Sequence, residues 1–411
     1  MRRTADSTDV AVTGLGAVTP AGPTAPETWA GLLSGIPRAV PDPLLAGLAV
    51  DFSCPAPFDV SARLGPRLAA RLDRYTGMAV SAAREAVADA LLDTSRWDSS
   101  RVAVVMGTAS ASTEHHERVY ALMAAGTPEK VSPMALMRSM PNMSAGEIGI
   151  DLGARGPNLS VSTACASGAT AVGLGYGLVR SGVCDIAIVG GSESMRTRSA
   201  AVCFHQMRAL STRRSDPGAA SRPFDAGRDG FVLGEGAGVL VLERAAHARA
   251  RGVSPYAYLA GYGASCDAHH MTAPHPGGRG AAEALRGALA DAGLAPSDIG
   301  HVNAHGTSTT ANDLAEYRAL RAVFGKKAPP VTALKAVLGH AAGGSGGIQA
   351  VCAALVLRYQ IIPPTPNLVA LDPAIDLDVV TAAPRRTAVG AVVSNSFGFG
   401  GQNAVLAFRA A

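Results

Sequence analysis

Four separated segments of this 411-residue chain carry side chains that could act together. Ser162-Thr163-Ala164-Cys165-Ala166-Ser167-Gly168 offers a thiol. Asn303-Ala304-His305-Gly306-Thr307-Ser308-Thr309 and Lys335-Ala336-Val337-Leu338-Gly339-His340 offer two imidazoles and an ammonium. Asn395-Ser396-Phe397-Gly398-Phe399-Gly400-Gly401 offers a Gly-rich turn. A thiol accepts an acyl group, paired imidazoles stabilise an enolate, and a flexible backbone turn supplies an oxyanion donor. The set suits acyl transfer with carbon–carbon bond formation.

These groups need elements to hold them. Cys165 follows the apolar run 159–162, read as a strand, and precedes a small-residue helix. That turn sets the thiol at the positive end of a helix dipole, which lowers a pKa from about 8.5. A lone cysteine is more often buried and structural, and Cys54, Cys184, Cys203, Cys266 and Cys352 are assigned that role. His305 ends a strand, and His340 precedes the Gly-rich turn 343–347. Beside flexible loops such histidines can donate from Nε2 to a carbonyl oxygen, although each could instead cap or fill a core. Lys335 lies in an apolar run and calls for a carboxylate partner if buried. Asp313 and Glu316, one helical turn apart, are the candidates, and a snorkelling surface lysine is the alternative.

Glycine-bounded, β-branched runs recur at 10–13, 102–107, 159–162, 185–191, 238–243, 301–304 and 391–395. Ala-rich amphipathic stretches at 77–92, 168–181, 280–292 and 313–324 lie between them. Alternating buried strands and helices predict a layered α/β protein with covered sheets. Segments 217–230 and 274–280, rich in Pro and Gly, read as surface loops. The apolar stretch 348–357 is too short to span a bilayer and reads as a buried helix.

Composition excludes several classes. A 48% hydrophobic, 17% charged chain is well buried, and 411 residues imply two domains or one duplicated fold. A net charge of +4 gives no case for nucleic acid, though local basic clusters could meet an acidic partner. Six cysteines without CxxC pairs point to free thiols in a reducing cytosol. The polar start shows no secretory leader, so a cytoplasmic protein without membrane insertion is expected. His269 and His270 lack further ligands at metal spacing. The Gly-rich runs match neither a P-loop nor a dinucleotide fingerprint.

Together the segments resemble the β-ketoacyl-acyl-carrier-protein synthases of the elongating type II class. The match runs from residues 12–20 to 395–403 and includes 208–213, 221–225 and 230–238. The resemblance implies a thiolase-like five-layer α-β-α-β-α sandwich of two duplicated halves, 1–255 with the cysteine and 256–411 with the histidines, and an obligate dimer. It implies Cys165 as acyl-accepting nucleophile, His305 and His340 as stabilisers of the malonyl-derived enolate, and backbone amides of Cys165 and Phe399 as oxyanion hole. Lys335, with Asp313 and Glu316, would set the charge around His340. Thr272, Thr307 and Thr309 match the pantetheine tunnel, and Phe204 and Phe399 a gate between the two substrate steps. Arg208 and a basic helix with Arg67 and Arg71 match the surface that meets an acidic acyl carrier protein. No cofactor or metal is implied, because phosphopantetheine arrives on the carrier.

The chain departs from the family pattern in four places. Ala333-Leu334-Lys335 replaces Ser-Thr-Lys. Gln349 stands where a carboxylate is usual, removing one partner of Lys335. Ser110 stands where a bulkier apolar residue often closes the acyl pocket, implying more room. Gln402 replaces a common Thr. These changes and the Ala/Arg-rich composition lean towards type II polyketide synthesis with a chain-length-factor subunit, with a fatty-acid homodimer as the alternative. A non-catalytic chain-length factor is disfavoured by Cys165, and a thiolase by paired histidines in place of a histidine and a second cysteine.

Overall fold

The computed structural model describes residues 9–411, so the polar start lies outside the described residues. Ten strands form the main sheet: β1 (Val10–Val18), β2 (Val102–Gly107), β3 (Asn158–Val161), β4 (Ile186–Ser194), β5 (Glu235–Arg244), β6 (Ala257–Cys266), β7 (His301–Asn303), β8 (Val331–Thr332), β9 (Ala391–Gly398) and β10 (Gln402–Ala410). Their spatial order is β8-β7-β9-β10-β6-β1-β5-β4-β2-β3. Read outward from β1 and from β6, each half runs first, fifth, fourth, second, third. Strand directions repeat too: the first and fourth strands run antiparallel to the fifth, and the second lies parallel to the fourth and third. The halves join where Val10, Ala11 and Val12 pair antiparallel with Leu259, Tyr258 and Ala257.

Six helices matter here: α1 (Arg74–Asp89), α2 (Ser167–Arg180), α3 (Arg198–Gln206), α4 (Arg279–Ala292), α5 (Thr310–Phe324) and α6 (Ser345–Tyr359). α1 covers the outer face of the first half. α4 covers the outer face of the second, and α5 packs beside it. α2 and α6 lie between the halves and touch strands of both. The five layers are therefore helix, sheet, central helices, sheet, helix. Apolar side chains fill each junction: Met78 and Ala82 against Val104 and Ile188, Val172 and Ala354 against Val189 and Leu406, and Leu285 and Leu320 against Val302 and Val405. The 348–357 run is buried throughout, within α6. Among the described residues no helix is long and apolar enough to cross a membrane.

Two features differ from the sequence reading. β6, β8 and β10 lie outside the apolar runs, and in β6 Tyr, Gly and small residues dilute the pattern, as in Ala-Tyr-Leu-Ala-Gly-Tyr-Gly. Segment 217–230 is not a surface loop throughout. Ala220, Ser221, Phe224, Asp225 and Arg228 are buried, because Asp313 accepts the Phe224 N–H at 2.8 Å and Arg228 donates to Asp372 at 2.7 Å.

Glycine permits the central contact. A Cβ on Gly168 would sit 2.6 Å from the Gly347 nitrogen and 2.8 Å from the Gly343 carbonyl oxygen. Neither backbone atom can swing aside as a side-chain end would. Gly168→Ala is therefore expected to destabilise the fold by about 1–3 kcal/mol, although alanine's helix propensity returns up to about 1 kcal/mol. Urea unfolding would measure the difference.

Candidate active site

Cys165 sits in the turn from β3 into α2, where Ala164 adopts a left-handed φ of 49°. Turning the chain there leaves the sulfur facing a cavity of about 340 Å³ that Cys165, His305, His340 and Phe399 all line. The cavity draws its walls from both halves. The backbone N–H groups of Phe399 and of Cys165 itself favour the thiolate and oppose the rise in the thiol's pKa. A Cβ on Gly398 would meet the Thr163 carbonyl oxygen at 2.4 Å, so glycine lets the Phe399 turn approach the cysteine. The thiol is not acidified as the helix-end argument predicts. Burial dominates and pushes it up to about 11, against the opposing charge of Lys335.

The imidazole rings of His305 and His340 meet edge to face, with centroids 5.5 Å apart. Their far sides are engaged by the protein. Ser345 Oγ lies 3.0 Å from His340 Nδ1, and Lys335 Nζ lies 3.4 Å from His305 Nδ1. An ammonium only donates, so Nδ1 of His305 accepts and its proton rests on Nε2. Burial, then the charge of Lys335, holds both rings well below the ordinary 6.5. Both are neutral at neutral pH.

Lys335 is buried, yet among the described residues no carboxylate hydrogen-bonds it. Its ammonium donates to the His305 carbonyl oxygen at 2.6 Å and to Gln349 Oε1 at 3.1 Å. Burial lowers its pKa to about 8, against the charges of Glu316, Cys165 and Asp313. This corrects two expectations. Gln349 is a partner of Lys335 rather than the loss of one, because an amide oxygen accepts as a carboxylate would. Asp313 and Glu316 act on Lys335 only through space. Glu316 accepts the N–H groups of His305 and Gly306, each at 2.8 Å, and the Asn395 amide at 3.0 Å. Asp313 accepts the N–H groups of Phe224 and Ser308. The two carboxylates shape the His305 loop.

The other expected residues divide. Thr272, Thr307, Thr309, Phe204 and Arg208 all line the cavity. The Thr307 and Thr309 hydroxyls lie 2.9 Å apart, and the Phe204 and Phe399 rings 6.3 Å. Ser110 does not line it: its N–H and hydroxyl bond Glu193, at 3.1 and 3.3 Å. Arg67 and Arg71 do not share one helix, because the short helix Pro66–Ala69 ends before Arg71. Arg71 is paired with Glu147 at 2.6 Å. Gln402 follows the Phe399 turn in β10 and nothing here explains its choice over Thr. Leu334 is buried in the central core, where a threonine hydroxyl would need a partner. Sequence reasoning missed Ser345, for which spacing gave no signal. Among the described residues no group of three His, Cys, Asp or Glu is placed to hold a metal.

Replacing Glu316 by Ala would strand two buried N–H groups and the Asn395 amide. A loss of about 2–4 kcal/mol is expected, from about 1–3 kcal/mol per unsatisfied buried group, read by chemical denaturation.

Family models cover most of the chain: the β-ketoacyl synthase N-terminal domain matches residues 7–248 and the C-terminal domain residues 256–369. The chain is 42% identical over 407 residues to a 3-oxoacyl-[acyl-carrier-protein] synthase 2 of Synechocystis sp., covering 97% of each. Among solved structures it is similar to the ishigamide ketosynthase/chain length factor, at 35% identity and TM-score 0.91, covering 98% of this chain and 99% of that one. It is also similar to a chain of a type II PKS acyl-carrier protein in complex with its ketosynthase bound to the hexaketide, at 31% identity and TM-score 0.91 with the same coverage. With a half-buried thiol facing two neutral imidazoles across one cavity, these matches place the chain in the β-ketoacyl synthase family of acyltransferases, as a ketoacyl-acyl-carrier-protein synthase.

Proposed function

We propose that the enzyme condenses an acyl group carried on Cys165 with malonyl-acyl carrier protein, giving 3-oxoacyl-acyl carrier protein and CO2. The observation that carries this reading is the convergence of one thiol and two neutral imidazoles on one cavity. In the first step Cys165 Sγ attacks the carrier thioester, and its proton leaves with the pantetheine thiol. The Phe399 and Cys165 N–H groups, which favour negative charge at the sulfur, suit the developing oxyanion. In the second, the malonyl thioester loses CO2 and its electron pair becomes an enolate. Nε2–H of His305, with His340 beside it, donates to the enolate oxygen. The enolate carbon then attacks the Cys165 thioester and the cysteine sulfur leaves. The first half, 1–255, thus supplies the thiol, and the second, 256–411, supplies the imidazoles and Lys335.

The partners follow from the surface. Thr272, Thr307 and Thr309 give the tunnel hydroxyls for a pantetheine arm, and exposed Arg208 at its mouth suits an acidic carrier protein. β3 is an edge strand with Leu159 exposed, and Leu136, Met137, Met140 and Ile150 are exposed as well. An uncovered edge and apolar side chains favour burial against a second subunit. We place the enzyme in type II polyketide elongation beside a chain-length-factor subunit. The similarity to the ishigamide ketosynthase/chain length factor favours it; a homodimer in fatty-acid elongation is the alternative.

Purified chain given an acyl-carrier thioester and then malonyl-carrier protein tests both points by mass spectrometry. Cys165→Ala is expected to abolish acylation and condensation. His305→Ala or His340→Ala should slow CO2 release roughly 100- to 1,000-fold, the usual loss for one donor to a developing oxyanion, and acylation less. Turnover by Cys165→Ala would sink the mechanism. Acylation and elongation by the chain alone would favour the homodimer, whereas activity only with an added chain-length factor would support the polyketide setting.

A further inference from the structure

Gln349 is 3% exposed, and both donors and the oxygen of its amide head are hydrogen-bonded within the protein. Its Nε2 donates to the carbonyl oxygens of Ala304 and Asn395, each at 3.0 Å. Its Oε1 accepts from Lys335 Nζ at 3.1 Å. Two carbonyls on the nitrogen side forbid the flipped amide, since a flip would oppose oxygen to oxygen. They equally disfavour a carboxylate. The main chain around both histidine and turn segments therefore sets which atom Lys335 meets. Among the described residues no ion pair involves Lys335, and its three donor sites go to Gln349, the His305 carbonyl and His305 Nδ1.

We propose that Gln349 is a positioning residue for decarboxylation: it holds the Lys335 ammonium against His305 Nδ1, and so keeps the His305 proton on Nε2, towards the enolate. Gln349 touches no substrate and acts through Lys335. This rests on the functional reading above and deepens it. The groups facing Lys335 are Cys165 from the β3–α2 turn, His305, Asp313 and Glu316 from the His305 loop and α5, and His340 from its own segment. None is a hydrogen-bonded carboxylate, so the neutral Gln349 amide is the side-chain oxygen that stabilises that charge, beside the His305 carbonyl. Lys335 is charged below about 8 and loses its proton above it, so CO2 release should fall on the alkaline side there.

The test follows CO2 release from malonyl-acyl carrier protein and acylation of Cys165 separately, across pH, in Gln349→Met and Gln349→Glu. Methionine keeps the length and removes the acceptor. The ratio of decarboxylation to acylation is expected to fall roughly tenfold, part of the loss for a removed oxyanion donor, and the alkaline limb to move to lower pH. Glutamate should move that limb to higher pH by stabilising the ammonium. A purely structural role would lower both half-reactions together and leave the limb in place in both variants, which would overturn the proposal. So would two variants that fail to fold by circular dichroism. A wild-type chain that acylates Cys165 yet releases no CO2 would overturn the functional reading itself, and the role of Gln349 with it.

Discussion

The site depends on how closely two central helices approach at their N-terminal ends. Cys165 lies just before α2, and α6 begins five residues after His340. Their backbones meet through Gly168, Gly343, Gly346 and Gly347, where any Cβ would collide with main chain. Each half contributes one of these helices. The sulfur and the imidazole share a cavity because the helix ends lie within backbone contact. The ten-stranded sheet and its outer helices serve mainly to hold that contact still, burying apolar surface on both faces of each half.

Burial then decides the charge state of the site. Water is largely excluded from Lys335, His305 and His340, so every ionised form is disfavoured. The rings become neutral donors, and the lysine keeps its charge only by the polar atoms around it. Desolvation also outweighs the helix end at Cys165, leaving a thiol rather than a resting thiolate. Its activation belongs to the bound state, where amide donors meet the oxyanion that forms there.

Much of this was legible in the residues. The alternating apolar runs located β2 to the residue and placed most other strands within a few, because buried parallel strands read as continuous Val and Ile. β6 escaped since tyrosine and glycine break that signature. The four motif segments converged as their order implied. Hydrogen-bond direction was not legible. By position Gln349 reads as a missing carboxylate, whereas its oxygen accepts from the lysine. By spacing Glu316 reads as an ion-pair partner, whereas its oxygens accept from main-chain N–H groups. Ser110 shows the same limit, since a side chain's neighbours beyond its own turn are set by tertiary packing.

The repeated strand order has a consequence for where such a site can arise. In each half the third strand leads, through an irregular junction, into the central helix. Cys165 lies in that junction in the first half and His340 in that of the second. The two are thus counterparts under the internal repeat, meeting across its pseudo-twofold axis. A symmetric pair of junctions would present the same group twice. Covalent linkage of the halves frees each copy to change alone, so one came to offer a nucleophile and the other a proton donor. Directionality in the chemistry is then a product of broken symmetry, with the scaffold still recording the symmetric arrangement.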